Sequence, residues 1–135
     1  MESAGAGARL SDLARASAQV GETSARGAKT QILADLLRSL PPDEVEIGVS
    51  WLSGEPRQGR IGIGYARLRE LSVAPAAAPT LSLREVDAEL ERIASTAGRG
   101  SAAERARLLD ALFGRATREE QDFLMRLLVG GEGPG

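Results

Sequence analysis

The sequence predicts an all-α protein built as two pseudo-repeated three-helix units, joined by a Gly/Arg loop, a short helix and an Ala/Pro linker. Three observations lead there. The segments "SLRE" (Ser82–Glu85), "SAAE" (Ser101–Glu104) and "TREE" (Thr117–Glu120) each set a hydroxyl three residues before a glutamate, the spacing of a capping box and so of a helix start. Behind each box the apolar residues recur with helical period. Finally, the chain matches itself at a shift of 76 positions without a gap: Lys29 falls on Arg105, Ile32 on Leu108, Leu36 on Leu112, Glu44 on Glu120, Trp51 on Leu127 and Gly54 on Gly130.

The elements follow in order. Leu10, Leu13, Ala14 and Ser17 form a weak stripe running to Gly21, and Ile32, Leu33, Leu36, Leu37 and Leu40 a strong one ending at "PP". Pro42, with Asp43 and Glu44 behind it, suits the first turn of a third helix that ends near Gly54. Here two signals conflict, because "VEIGVSW" alternates like a strand and Gly48 weakens a helix. The self-match decides for a helix, since "VEIGVSWL" falls on the plainly helical "QDFLMRLL". A short helix is expected near Tyr65–Leu71, then "SVAPAAAPT" with the composition of an extended spacer. In the second unit Val86, Leu90, Ile93 and Ala94, then Leu108, Leu109, Leu112 and Phe113, then Phe123, Leu124, Leu127 and Leu128 mark three amphipathic helices. Gly98, Gly114 and Gly130 are the expected stops. The whole chain, 1–135, reads as one domain with units at about 10–54 and 86–130, a linker at about 72–81 and flexible ends at 1–8 and 131–135.

Composition removes many chemistries. With no histidine and no cysteine, disulfides, thiol or imidazole nucleophiles, Ser-His-Asp triads and nearly all zinc sites are excluded. No apolar run approaches the ~20 residues of a membrane-spanning helix, and the first residues lack a signal-peptide pattern, so a cytoplasmic protein without membrane partners is expected. The formal net charge of −2 argues against a freestanding, strongly basic nucleic-acid binder. Distribution qualifies that sum: Arg57, Arg60, Arg67 and Arg69 fall in an acid-free stretch from Pro56 to Arg69, while acids gather at Asp43–Glu46, Glu85–Glu91 and Glu119–Asp122.

Catalytic and cofactor signatures fail on spacing. "GETSARGAKT" (Gly21–Thr30) resembles a phosphate-binding P-loop, but Ala28 separates the second glycine from Lys29 and the preceding segment reads as helix. "GRIGIG" lacks the strand and the acidic partner of a dinucleotide site. The carboxylates occupy first-turn and solvent-face positions that capping and solubility explain. Trp51 reads as core rather than as a base-stacking platform.

"TSARGAKTQILADLLRSLPPDEVEIGVSWLSGEPRQGRIGIG" resembles the start of the amino-terminal, all-helical DNA-binding domain of ATP-dependent DNA ligases of bacterial type. The segment "STAGRGSAAERARLLDALFGRATREEQDFLMRLLVGGE" resembles that domain's second half-repeat, so the resemblance covers roughly Leu10–Glu132. It implies non-sequence-specific binding of duplex, nicked DNA for replication, repair and recombination, with a ligase catalytic core as partner and association with the nucleoid. The family's adenylation motif, "K-x-D-G", is absent, and Lys29 in "AKTQ" does not replace it. No ligation is therefore expected from these 135 residues alone, and ATP and magnesium are implied only for the family's catalytic domain.

Two candidate contact regions emerge. Arg57, Gly59, Arg60, Gly62 and Gly64 form a Gly/Arg loop whose backbone N–H groups and guanidiniums suit phosphate oxygens, and "EPRQG" is similar to the family's "E-L-R-x-G", which makes Arg57 and Gly59 the foremost candidates. Thr23, Ser24, Arg26 and Lys29 open one helix, and Arg99, Gly100, Ser101 and Arg105 open its repeat equivalent; each start offers N–H groups plus charge to a phosphate. The competing reading is a small helical interaction module whose acidic faces dock a protein partner and whose arginines are merely solvated.

Overall fold

The computed structural model describes residues 8–59, 61, 63 and 65–130. Arg60, Gly62, Gly64 and, of the expected flexible ends at 1–8 and 131–135, all but Ala8 lie outside the described residues. The chain is all-α. Among the described residues there are seven α-helices: α1 (Leu10–Glu22), α2 (Arg26–Ser39), α3 (Val45–Leu52) behind a 3-10 turn at Pro42–Glu44, α4 (Tyr65–Arg69), α5 (Leu83–Ser95), α6 (Ser101–Gly114) and α7 (Arg118–Gly130). None is long and apolar enough to cross a membrane.

The ambiguous "VEIGVSWL" is α3, as its match to α7 implies. Gly48 is tolerated there for a packing reason: a Cβ on it would stand 2.5 Å from Leu40 Cδ1, so the missing side chain lets α3 lie against the end of α2. The helix stops in a Schellman motif. Gly54 takes φ 102°, its N–H donates to the carbonyl of Trp51 at 3.0 Å, and the N–H of Glu55 donates to that of Ser50 at 3.2 Å. Two of the three expected capping boxes form. Ser82 and Glu85 exchange bonds of 2.9 and 3.1 Å, and Thr117 and Glu120 bonds of 2.8 and 3.2 Å. The third does not form, because Gly100, left-handed at φ 78°, is the N-cap of α6 and leaves Ser101 inside the first turn. Nor does α5 reach Gly98: it ends at Ser95, with extended Thr96 as its C-cap.

The core is continuous through both halves. Leu10, Leu13 and Trp51 are buried together with Leu68, Leu90, Leu109, Leu124 and their neighbours. α1 packs on α2 and α7, α5 on α6, and α4 on α7; Trp51 meets Phe123 with ring centroids 6.5 Å apart. The starts of α1 and α5 exchange a reciprocal pair of backbone bonds, Leu10 N–H to the carbonyl of Leu81 at 2.9 Å and Leu83 N–H to that of Ala8 at 3.0 Å. Ala8, expected in a flexible end, is thus pinned, and its own N–H donates to Glu44 Oε1.

Two carboxylates depart from the solvent-face expectation. Glu44 and Glu120, equivalent at the 76-residue shift, are both fully buried. Glu44 balances its charge with Arg84, whose Nε lies 2.7 Å from Oε2 while its other end reaches Asp43 at 2.6 Å. Glu120 spends Oε1 on its capping box, and among the described residues its Oε2 has no hydrogen-bond partner. The Ala/Pro linker is not a free spacer either. Ala76 N–H donates to the carbonyl of Ala116 at 2.8 Å, and Gln121 Nε2 bridges the carbonyls of Val73 and Phe113 at 3.1 and 2.9 Å, strapping residues 73–76 to the α6–α7 turn.

Candidate nucleic-acid interface

The stretch after α3 is built from two consecutive turns. The Schellman glycine, Gly54, reverses the chain and delivers buried Pro56, and a second turn closes with Gly59 N–H on the carbonyl of Pro56 at 2.9 Å. Arg57 and Gln58 occupy the centre of that turn. Gly59 has φ 70°, and nothing lies within 4 Å of the position of a Cβ, so backbone conformation rather than crowding requires the glycine. Arg57 is already engaged. Its Nε and NH2 lie 3.2 and 3.1 Å from the two oxygens of Asp87 on α5 in a bidentate pair. Its NH1 lies 3.6 Å from Glu46 on α3. The bond to Asp87, then its charge, raise the guanidinium above its ordinary pKa. Gln58 seals the seat, with Nε2 3.3 Å from the backbone oxygen of Asp87 and 3.1 Å from Oδ1.

The two proposed helix starts differ from those of α5 and α7. α2 begins after Ala25 and α6 after Gly100, and neither N-cap supplies a side-chain acceptor. The first N–H groups at both ends are therefore not satisfied by a capping side chain, and the helix dipole adds partial positive charge there. Arg26 in the first turn of α2 and Arg99 just before Gly100 are exposed, and Lys29 is half-buried; among the described residues these three make no ion pair. Thr23 belongs to the preceding helix instead: its hydroxyl donates to the carbonyl of Gln19 at 2.7 Å and its N–H caps α1. Ser24 is exposed between the helices. Arg105 is tied back onto α5 through NH1 and the carbonyl of Thr96 at 2.6 Å. Glu104, the one acid in the first turn of α6, is turned to Arg107, whose bond and charge lower its pKa.

α5 therefore joins the Gly/Arg loop to one of the two helix starts. Arg57 sits over Asp87, and the start of α6 is anchored at Thr96, nine residues on, which at ~1.5 Å rise per residue is roughly 14 Å along the helix. No hydrogen bond or ion pair links the start of α2 to either region among the described residues. Sequence reasoning missed Asp87, Glu46 and Gln58 as the surroundings of Arg57. Asp87 lies 30 residues from Arg57 in a helix rich in acids, so nothing local singles it out.

The model of the DNA ligase N terminus matches residues 65–131. Over 124 residues the chain is 51% identical to a probable DNA ligase of Anaeromyxobacter sp. and 56% identical to one of Mycobacterium avium, covering 90% of this chain and 24% and 23% of those proteins. It is 45% identical over 121 residues to a probable DNA ligase of Rhodococcus jostii, again over 90% of this chain and 24% of that protein. The chain thus spans about a quarter of the length of the curated relatives it matches. The all-α chain thus belongs, through residues 65–131, to the family of DNA ligase N-terminal domains, and its similarity to probable DNA ligases runs through both helical halves.

Proposed function

We propose that the chain binds duplex DNA, nicked duplex included, through the sugar-phosphate backbone and without regard to base sequence. In this reading it is the DNA-binding part of an ATP-dependent DNA ligase, works at the nucleoid in replication, repair and recombination, and presents a nick to the ligase catalytic core. The observation that carries the reading is the contrast among helix starts: α5 and α7 are closed by capping boxes, whereas α2 and α6 open without a side-chain acceptor and carry Arg26, Lys29 and Arg99 beside their first N–H groups. An N-terminus without a side-chain cap and flanked by cations is an arrangement that takes a phosphate oxygen, although at α6 the N–H of Ser101 already donates to the carbonyl of Gly98 at 3.2 Å. Binding needs no cofactor, since the donors are backbone and side-chain N–H groups.

Fluorescence anisotropy on a nicked duplex tests it. Wild-type binding is expected to weaken steeply with salt, and Arg26→Ala with Lys29→Ala, or Arg99→Ala, to flatten the log-log salt slope by about 0.9 per lost phosphate contact, equally for unrelated base sequences. A metal chelator is expected to leave binding unchanged. Absence of salt-dependent binding at low ionic strength would overturn the reading. A second reading, a protein-interaction module, draws on the open groove of about 700 Å³ between α1 and α2, where Ile32 and Leu36 are only partly covered. Capture of the ligase catalytic core by a DNA-free chain, abolished by Leu36→Asp, would support it.

A further inference from the structure

We infer that Asp87 is a positioning residue for phosphate recognition: it holds the Arg57 guanidinium by its Nε/NH2 edge and leaves the NH1/NH2 edge, fronted only by exposed Glu46, for a backbone phosphate of duplex DNA. The inference rests on the DNA-binding reading above and names a residue on another helix through which that binding works.

The geometry carries it. A guanidinium presents two paired edges of N–H groups, Nε/NH2 and NH1/NH2. Asp87 takes the Nε/NH2 edge with both oxygens, at 3.2 and 3.1 Å. Its side chain is only 13% exposed against 37% for Arg57, so the carboxylate is the fixed partner and the arginine reaches outward from it. Gln58 donates to Asp87 Oδ1 at 3.1 Å and fixes the carboxylate from the side of the turn. The Nε/NH2 edge is therefore spent, and the NH1/NH2 edge remains. What faces it is Glu46, 3.6 Å away and 80% exposed, too far for a hydrogen bond and free to swing aside. A phosphate approaching Arg57 from solvent would displace Glu46 and leave Asp87 in place. The other charged group near Arg57, Glu91, acts on it only through its charge. A long, flexible arginine is thus immobilised before the ligand arrives, which lowers the entropic cost of making a contact.

This assignment makes a counterintuitive forecast. Asp87 is an acid beside a proposed polyanion site, so on net charge alone its neutralisation would tighten DNA binding. On the positioning argument it weakens it. The experiment measures anisotropy on a nicked duplex at low salt for the full chain and for Asp87→Asn, Arg57→Ala, their double variant and Glu46→Gln. Asp87→Asn is expected to weaken binding about 3- to 10-fold, to approach Arg57→Ala, and to lower the salt slope by up to about 0.9. The double variant is expected to be no weaker than Arg57→Ala, and Glu46→Gln to bind about twofold tighter. The Arg57 Nε–H resonance supplies a structural readout: it is expected to persist in wild type with DNA bound, to move with DNA addition, and to broaden in Asp87→Asn. Should Asp87→Asn fold poorly, Gln58→Ala gives the same direction with a smaller change. Wild-type binding with Asp87→Asn equal to or tighter than wild type overturns the positioning role and leaves the DNA-binding reading standing. No wild-type binding at all overturns both.

Discussion

α2 and α6 carry the same apolar pattern at the 76-residue shift, yet the structure treats them differently. In α6, Ala106, Leu108, Leu109, Leu112 and Phe113 are buried. In α2 not one residue is: Ile32, Leu33, Leu36 and Leu37 are all half-covered. The stripes are equally apolar, so the difference lies in what covers them. α6 packs on α5, and the strap at residues 73–76 is bonded to its far end, whereas α2 has α1 and the eight-residue α3, whose contact is set by Leu37 and Leu40 against Gly48. An amphipathic stripe proposes a buried face, and its neighbours decide how much of it leaves water.

The largest expected effect breaks this contrast directly. Leu109→Ala, at a position 1% exposed, is expected to cost about 2–5 kcal/mol in denaturant unfolding, and Leu33→Ala, its equivalent in α2, only about 1 kcal/mol. Equal costs would mean that α2 is as well packed as α6. Next comes the buried acid that differs between the units. Arg84→Ala strands the charge of Glu44 away from water and is expected to destabilise by about 1–3 kcal/mol, whereas Arg118→Ala, at an exposed position two residues before Glu120, is expected to stay within about 0.5 kcal/mol.

Helix starts sharpen the comparison at a smaller scale. Thr117→Ala and Ser82→Ala each remove a side-chain cap and are expected to cost about 1 kcal/mol, while Ser101→Ala, inside its helix behind left-handed Gly100, is expected to change stability by less than about 0.5 kcal/mol. The smallest effect is electrostatic. Glu85 is lowered from its ordinary pKa by its bond to the Ser82 backbone and by Arg115. A carboxylate with a depressed folded pKa stabilises above its unfolded value, about 4.3, and loses that contribution as pH falls through its folded pKa. Melting temperature between pH 6 and pH 3 is therefore expected to fall slightly less in Glu85→Gln than in wild type.

Legibility followed the same division between local and distant causes. All seven helices could be placed from period, caps and self-match, the first two of which sit within a few residues of their effect. The conflict at Val45–Trp51 was settled by repetition and not by propensity, and the packing reason for Gly48 became visible only when α2 was beside it. The box at Ser101 failed because Gly100 had already taken the cap position, a contest between neighbours that spacing alone cannot decide. Burial of Glu44 and Glu120 was written in the self-match as paired glutamates but hidden by their place in acidic first turns. Asp87 had no such trace: its role exists only where the turn after α3 meets α5.

The reciprocal bonds between Ala8–Leu10 and Leu81–Leu83, together with the packing of α1 on α7, impose an order on biosynthesis. α1 leaves the ribosome before the other described helices, but its partner α7 begins about a hundred residues later. At about 5–20 residues per second, the part of α1 that packs on α7 waits roughly 5–20 s for its cover. During that interval it is sticky surface rather than core, available to chaperones and to neighbouring nascent chains. Translation speed across the second half thus becomes a determinant of yield, and synonymous slowing between Ser72 and Leu128 is expected to lower the fraction recovered folded without altering a single residue.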